Sequence, residues 1–208
     1  IGTNPISIAA PADRERPFVL DMATSTVPRG KVEVYDRLKK PMPHGWATDE
    51  QGASTTDATQ VLENLLKRRG GGLLPLGGEG EQLGGYKGYG LALMIDVLTG
   101  VLAGGAFGAH VYEEKDGKPQ PANVGHLLGA IDIKGFQDAS GFKKRLDAYI
   151  RDLKDSPKAA GHERIYVHGE KEFAMTEKYS KTGVPIHPKS VGALRFMAGQ
   201  LGLVFNLA

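Results

Sequence analysis

One segment limits the possible folds of this 208-residue chain more than any other: residues 70–105 are rich in glycine and end in a long apolar run. Its second part reads GGYKGYGLALMIDVLTGVLAGG (84–105), in which a single cation, Lys87, lies among glycines and tyrosines just before the apolar residues. The apolar run predicts a buried helix over 89–103. The glycines before it predict a surface loop over 70–85. Lys87, ahead of the helix N-terminus, either lies on an exposed turn or binds an anion.

Composition limits the class of protein. The 26 Lys and Arg residues nearly balance the 24 Asp and Glu residues, so charge gives no support for a nucleic-acid partner or an anionic membrane surface. The sequence contains no cysteine, which excludes disulfides, thiolate metal sites and a cysteine nucleophile. No apolar stretch is long and unbroken enough to span a bilayer, and no secretory leader opens the chain. We therefore expect a soluble cytoplasmic protein.

Hydrophobic patterning predicts a mixture of strands and helices. Short apolar runs bounded by proline or charge predict strands at 4–10, 17–21, 126–133 and 164–167. Helical spacing predicts helices at 56–67, 142–153, 171–181 and from Pro188 onward, the last with its apolar residues inward. Residues 24–38 predict a helix entered at 24–26, and a strand fits them nearly as well. The expected class is α/β with a mixed, largely non-parallel sheet, and no linker divides residues 1–208.

The standard nucleotide-binding fingerprints fail in the glycine-rich segment. The spacing of Gly78, Gly80 and Gly84 places the third glycine of G-x-G-x-x-G one residue late, and the glutamates between them would repel a pyrophosphate. A Walker A loop needs Ser or Thr after Gly-Lys, whereas Gly88 follows Lys87.

Other polar residues leave alternatives open. Asp21, at the end of a predicted strand, accepts hydrogen bonds from a ribose or amide, or else caps the following helix, and local sequence favours the cap. His168 is either an acid–base group or a loop histidine without further role, and the second is the commoner case. Histidine spacing gives no zinc pattern, so no metal is expected. The absence of G-x-S-x-G gives no support for a serine hydrolase.

Seven motifs, taken together, resemble one enzyme family. They are GTNPISIAAP, VLDMATSTVPRGKV, GWATDEQGASTTD, LPLGG, GGYKGYGLALMIDVLTGVLAGG, VGHLLGAIDI and HGEKE, in this order along the chain. They resemble the type 2 malate/L-lactate dehydrogenase family, which includes malate, sulfolactate, ureidoglycolate and diketogulonate dehydrogenases or reductases. The resemblance implies a non-Rossmann NAD(P)-binding fold, NAD or NADP as cofactor, a small-molecule 2-hydroxyacid or 2-oxoacid substrate (malate or L-lactate first), and a homodimer in which the Trp46 loop packs on the partner.

The resemblance also implies site residues. The cofactor would be lined by the D-M-A-T-S segment, the Y-K-G turn and the G-E segment, which here are Asp21, Met22, Ala23, Thr24, Ser25, Tyr86, Lys87, Gly169, Glu170 and Lys171. The substrate would lie near Thr3, Arg29 and Gly30. Lys31 stands where one relative type has an aspartate proposed to support the catalytic histidine, which disfavours an imino-acid reductase.

One motif of the family does not occur in residues 1–208. It reads S-H-G-x-x-R, and its histidine exchanges a proton with the substrate oxygen while its arginine binds the carboxylate. No catalytic residue is therefore predicted here, and the general-acid histidine is expected in a missing N-terminal segment. The 208 residues would then be the cofactor-binding and C-terminal portion of a larger dehydrogenase, inactive alone. The alternative is a non-catalytic nucleotide-binding or interaction module of the same fold.

Overall fold

The chain forms two units, residues 1–150 and 151–208, and each is described by itself. The computed structural model describes residues 2–115 and 117–206. Within these residues the strands form two-stranded antiparallel pairs, and helices make up most of the remaining regular structure. The mixed α/β class predicted from the sequence is confirmed. No helix of the described residues is both long and apolar enough to cross a membrane.

The elements follow one another without strict alternation. The strands are β1 (Ile6–Ala10), β2 (Phe18–Met22), β3 (Ala47–Thr48), β4 (Gly72–Leu73), β5 (Glu114–Lys115) and β6 (Lys118–Pro119). The α-helices are α1 (Arg29–Leu38), α2 (Ala58–Lys67), α3 (Gly85–Asp96), α4 (Ala139–Asp155), α5 (Glu170–Thr182) and α6 (Pro188–Gln200). A π-helix (Val97–Val101) continues α3, and two short 3₁₀ turns (Gly108–Tyr112 and Ile133–Gly135) precede α4.

The β1–β2 hairpin confirms the first two predicted strands, which pair along all five residues. Its tip is held by a carboxylate from far along the chain. Asp147 of α4 is buried, and its oxygens accept the backbone N–H groups of Asp13, Arg14 and Glu15 at 3.0, 2.9 and 3.2 Å. Three N–H groups converging on one carboxylate balance the cost of burying its charge. Asp147 therefore fixes the hairpin to α4 within the first unit.

Helices α1 and α2 cover the principal core of the first unit. Residues 24–26 are not the predicted helix entry, because α1 begins only at Arg29, after Pro28. Asp57 caps α2 by accepting the backbone N–H of Gln60 at 3.0 Å. The buried apolar residues of this core are Val27, Val32, Met42, Ala47, Ala58 and Val61. Trp46 packs against this core and meets Tyr35 edge-on at 5.2 Å, so its predicted packing on a partner stays a prediction.

Helix α3 begins four residues earlier than the sequence predicts. Glycine is a poor helix former, so the sequence predicts a helix only from residue 89, but Gly85 and Gly88 both lie in the first turn and are buried. Lys87 is therefore within the helix and not ahead of it. The helix is also less buried than expected, because Leu91 and Met94 expose 36% and 43% of their surface.

Two predicted strands and one predicted helix face are wrong. Residues 126–133 and 164–167 form no ladder with any described segment, so their apolar composition alone did not suffice to make strands. Leu128 in the first of these is 93% exposed. Leu194 and Met197 of α6, and Leu201 at its C-cap, are exposed instead of inward. Two predicted helix ends are confirmed, because α5 ends before Gly183 and Pro188 is the first residue of α6.

Candidate functional site

Thr24 joins the two N-terminal site motifs of the first unit. Its backbone N–H donates to the Thr3 carbonyl at 2.8 Å, and its hydroxyl donates to the Asn4 carbonyl at 2.9 Å. Its own carbonyl accepts the N–H of Leu76 at 2.8 Å. The side chain is only 1% exposed, so all these polar groups are satisfied inside the protein. We call residues 3–4, 24–26, 74–76 and 85–88 the Thr24 junction.

The neighbours of Thr24 extend the junction along the chain. Thr26 donates its N–H to the Leu74 carbonyl at 2.8 Å and its hydroxyl to the Pro75 carbonyl at 2.7 Å. Ser25 is buried, and its hydroxyl donates to the Val27 carbonyl at 2.8 Å. The hydroxyls of Thr24 and Ser25 are thus committed to the protein's own backbone. Both residues shape the junction, and their side chains do not face solvent.

Glycines bring α3 against the same junction. A Cβ added at Gly88 would overlap the backbone of Leu76, and one added at Gly85 would overlap the Gly78 carbonyl. The chain itself uses this close backbone approach, because residues 76–78 pack onto the first turn of α3. Residues 74–78 are therefore not the free surface loop predicted for 70–85.

The two charged residues of the first unit that are predicted to line the cofactor, Lys87 and Asp21, are exposed. Lys87 lies in the first turn of α3, with its ammonium 5.8 Å from the ring centroid of the exposed Tyr86. Asp21 lies in β2 opposite Ser7, and its carboxylate has no hydrogen bond or ion pair within residues 2–115 and 117–206. The helix-cap alternative for Asp21 is wrong, because α1 begins eight residues later and Pro28 takes the cap position. Met22 and Ala23, between Asp21 and Thr24, are half-buried.

The residues predicted to lie near the substrate are divided between two places. Thr3 belongs to the junction through its carbonyl. Arg29 and Gly30 open α1, three residues after the junction segment 24–26. The Arg29 guanidinium pairs with Glu33 at 3.0 Å on the exposed helix surface, and a Cβ added at Gly30 would meet no atom within 4 Å. Such an exposed pair is weak, so Arg29 can exchange its partner at little cost.

The second unit holds the remaining three predicted residues at the start of α5. Gly169 has a φ of 94°, a left-handed conformation that glycine adopts without strain. The Glu170 carboxylate pairs with Lys154 at 2.5 Å and Arg164 at 3.3 Å, and accepts the Val167 N–H at 3.1 Å.

Burial by itself raises the pKa of Glu170, but the hydrogen bonds from Lys154 and Val167, with the charges of Lys154 and Arg164, hold the pKa below its ordinary value. Its neighbour Lys171 places its ammonium 4.6 Å from the ring centroid of Tyr166.

Sequence reasoning missed the part played by Asn4. Its side-chain amide donates to the Ala92 carbonyl in α3 at 2.8 Å, and its φ of 38° lies in the left-handed region. Asparagine is one of the few non-glycine residues that adopt this region readily, which was the available signal. Asn4 thus ties the N-terminal segment that contains Thr3 directly to α3.

The chain belongs to the malate/L-lactate dehydrogenase family, because that family's sequence model matches residues 1–195. It is 45% identical over 203 residues to malate dehydrogenase of Pyrococcus horikoshii, covering 98% of this chain and 54% of that protein. It is 33% identical to malate/(S)-sulfolactate dehydrogenase of Methanothermus fervidus, over 98% of this chain and 54% of the relative.

Solved structures confirm the fold. The crystal structure of malate dehydrogenase from Entamoeba histolytica matches with a TM-score of 0.89 at 32% identity, covering 98% of this chain and 56% of that chain. The chain therefore spans about half the length of the relatives it matches. None of these comparisons favours a non-catalytic role.

Proposed function

We propose that this chain is part of an NAD(P)-dependent oxidoreductase that interconverts a 2-hydroxyacid and its 2-oxoacid, with malate or L-lactate as the hydroxyacid. The proposal is supported by the relatives, which are named as malate and sulfolactate dehydrogenases. It is also supported by the grouping of the predicted residues at the Thr24 junction. The oxidised and reduced substrates differ by a hydride and a proton, so the protein must bind a hydride carrier beside a carboxylate-bearing substrate.

A nicotinamide dinucleotide is the cofactor we propose. One relative is named ureidoglycolate dehydrogenase (NAD(+)), from Escherichia coli K12, and another (2R)-3-sulfolactate dehydrogenase (NADP(+)), from Chromohalobacter salexigens. When bound, this cofactor supplies or accepts the hydride. Lys87 offers an exposed cation in the first turn of a helix, where the helix dipole also favours an anion. Asp21 offers a carboxylate that can accept hydrogen bonds from a ribose.

The observation that carries the proposal is the packing that fixes the backbone of Lys87. The first turn of α3 lies so close to residue 76 that a Cβ at Gly88 would overlap the Leu76 backbone. Hydrogen bonds from Thr26 and to Thr24 hold residues 74–76 against the segment that follows Asp21. Pre-organised charges lose less conformational entropy when they bind a ligand. Two of the three motifs that the resemblance assigns to the cofactor, the D-M-A-T-S segment and the Y-K-G turn, are therefore parts of one arrangement within the first unit.

Among residues 1–208, we propose Arg29 as the residue that binds the substrate carboxylate. Its guanidinium has planar, paired N–H groups that match a carboxylate, and its present partner Glu33 is an exposed residue one turn away. Gly30 beside it leaves open space, since nothing lies within 4 Å of a Cβ built there. Thr3 contributes its backbone to the junction. No proton donor is assigned within residues 1–208.

Homodimerisation and a cytoplasmic location are part of the same proposal. The family resemblance supports the dimer, and the exposed Leu91, Met94 and Val97 on one stretch of α3 and its continuation are consistent with a covered surface. The location follows from the composition described above.

The experiment is a turnover assay of the full-length protein with NADH and with NADPH against oxaloacetate, pyruvate and sulfopyruvate. We expect absorbance loss at the reduced cofactor's band with at least one of these 2-oxoacids. A protein that binds neither cofactor and turns over none of the three would contradict the proposal.

A paired binding experiment addresses Lys87. Lys87→Ala should weaken NADH binding by roughly 1–3 kcal/mol, the value of a hydrogen bond to a charged group, in a fluorescence titration. Lys144→Ala, which removes an exposed lysine of α4, is the matched control and should leave binding unchanged. Equal affinity in both variants would remove Lys87 from the site.

A further inference from the structure

Residues 126–131 of the first unit lie between two fixed points of the chain without forming regular structure. Just before them, Gly125 packs so closely on the π-helix that an added Cβ would overlap the Thr99 carbonyl. Just after them, the Asp132 carboxylate accepts the N–H of Lys134 at 3.0 Å and caps a 3₁₀ turn. We call residues 126–131 the open segment, because only its ends are held.

The backbone of the open segment has no partner within the described part of the chain. None of its N–H or carbonyl groups forms a hydrogen bond with residues 2–115 or 117–206. All six residues are exposed, Leu128 by 93% and Ile131 by 81%, and a Cβ added at Gly129 would meet no atom within 4 Å. Unpaired backbone groups in a row are the surface to which an added strand binds.

The sequence of the open segment is typical of a strand that is covered on both faces. It reads HLLGAI, so its apolar residues follow one another instead of alternating with polar ones. Successive side chains of a strand point to opposite faces, which would place Leu127 and Ile131 on one face and Leu128 and Ala130 on the other. A strand with one face in water alternates, whereas a continuous apolar run indicates cover on each face. The segment therefore needs neighbouring strands and two covering layers.

The accessible surface of the chain measures how much cover is missing. It is 15048 Å², whereas a folded monomer of 22.2 kDa exposes about 9,400 Å². Two separately folded units, residues 1–150 and 151–208, would together expose only about 11,000 Å². The excess is at least about 4,000 Å², and one protomer of an obligate dimer buries roughly 1,000–2,500 Å². A second copy of the chain alone does not account for this excess.

The relatives indicate a larger source of cover. The 203 residues aligned with the Pyrococcus horikoshii protein are 54% of that relative, so a part almost as long as this chain has no counterpart in residues 1–208. A polypeptide of that length is large enough to supply both strands and covering helices. The family resemblance places it before residue 1, together with the S-H-G-x-x-R motif.

We propose that the open segment is a strand of the full-length protein, paired along its backbone with a strand of the polypeptide that precedes residue 1. This pairing rests on the proposed function only in that both make the chain part of a longer enzyme. The polypeptide expected to carry the general acid is thereby attached to the unit that contains the Thr24 junction. Its attachment point adjoins the continuation of α3, where Gly125 packs on Thr99.

Hydrogen–deuterium exchange of the full-length protein tests the pairing. The reference is residues 158–161, which are exposed and whose N–H groups make no hydrogen bond to any described residue. After correction for intrinsic rates, the amides of the open segment should exchange about a hundredfold or more slowly than those of 158–161, because a paired strand exchanges only when it opens. Equal exchange rates in the two segments would overturn the pairing.

Photo-crosslinking in the full-length protein identifies the partner. One variant carries p-benzoylphenylalanine in place of Leu127, and the matched control carries it in place of the exposed Lys158. Mass spectrometry should find crosslinks from position 127 to peptides of the same chain that precede residue 1, and none to these peptides from position 158. A product of doubled mass on a denaturing gel would assign the open segment to a second copy and overturn the proposal. Crosslinks from position 127 confined to residues 1–208 would also overturn it.

The turnover assay separates this pairing from the proposed function. If the wild type turns over a 2-oxoacid while the open segment exchanges as fast as residues 158–161, only the pairing fails. If the open segment is protected and crosslinks to the preceding polypeptide but no turnover occurs, the pairing stands and the proposed function fails.

Discussion

Two glycines of α3, two residues apart, should respond in opposite ways to the same substitution. A Cβ at Gly90 would meet no atom within 4 Å, so Gly90→Ala should stabilise the protein by about 0.5–1 kcal/mol through the higher helix propensity of alanine. A Cβ at Gly88 would lie 2.5 Å from the Leu76 nitrogen and closer still to its carbonyl oxygen. Overpacking of this kind costs about 1–3 kcal/mol, which exceeds the propensity gain.

Gly88→Ala should therefore destabilise the protein by about 1–2 kcal/mol, and the two variants should differ by about 1.5–3 kcal/mol. The measurement is the urea midpoint of each variant, compared at unchanged m-value. Leu76 also donates to the Thr24 carbonyl, so its displacement should disturb the junction and weaken NADH binding in Gly88→Ala alone. Equal midpoints and equal cofactor affinity in the two variants would refute the packing of α3 onto residues 74–76.

Two further perturbations test the anchors of each unit. Asp147→Ala removes the acceptor of three backbone N–H groups and should destabilise the protein by about 2–4 kcal/mol in urea unfolding. The control Asp152→Asn, on the exposed face of the same helix, should change the stability by less than about 0.5 kcal/mol. Similar urea midpoints for both variants would argue against the role of Asp147 in holding the hairpin. The pKa of Glu170 is lowered in the folded state, so its stabilisation is complete above the ordinary carboxyl pKa of 4.5 and is lost as the pH falls through the folded value. Glu170→Gln should therefore lose less stability than the wild type between neutral and acidic pH, and parallel pH profiles would contradict this linkage.

Much of the fold could be predicted because local signals and tertiary packing agree. The β1–β2 hairpin followed from two apolar runs separated by a polar turn, and Gly183 and Pro188 marked helix ends whose chemistry is local. The start of α3 could not be predicted in the same way. Its glycines have low helix propensity, but they are helical because only glycine fits against Leu76 and Gly78. Hydrophobic periodicity does not reveal such a packing contact.

The candidate site was predicted as a set of residues but not as an arrangement. Motifs identified Thr24 and Ser25, yet the burial of their hydroxyls depends on partners at positions 3, 4 and 27 that no spacing rule names. Asp147 gave no signal, because an aspartate on an amphipathic helix is typical of a solvated face and its partners lie more than 130 residues away. The run at 126–133 shows the opposite error, since strand-like composition needs a neighbouring strand to form a ladder.

The most direct measurement is a crystal structure of the full-length protein with reduced coenzyme bound. We predict electron density for the dinucleotide against the Lys87 ammonium and the segment from Asp21 to Ser25, with the Thr24 hydrogen bonds to residues 3 and 4 unchanged. Well-defined coenzyme density that contacts neither Lys87 nor residues 21–25 would contradict it.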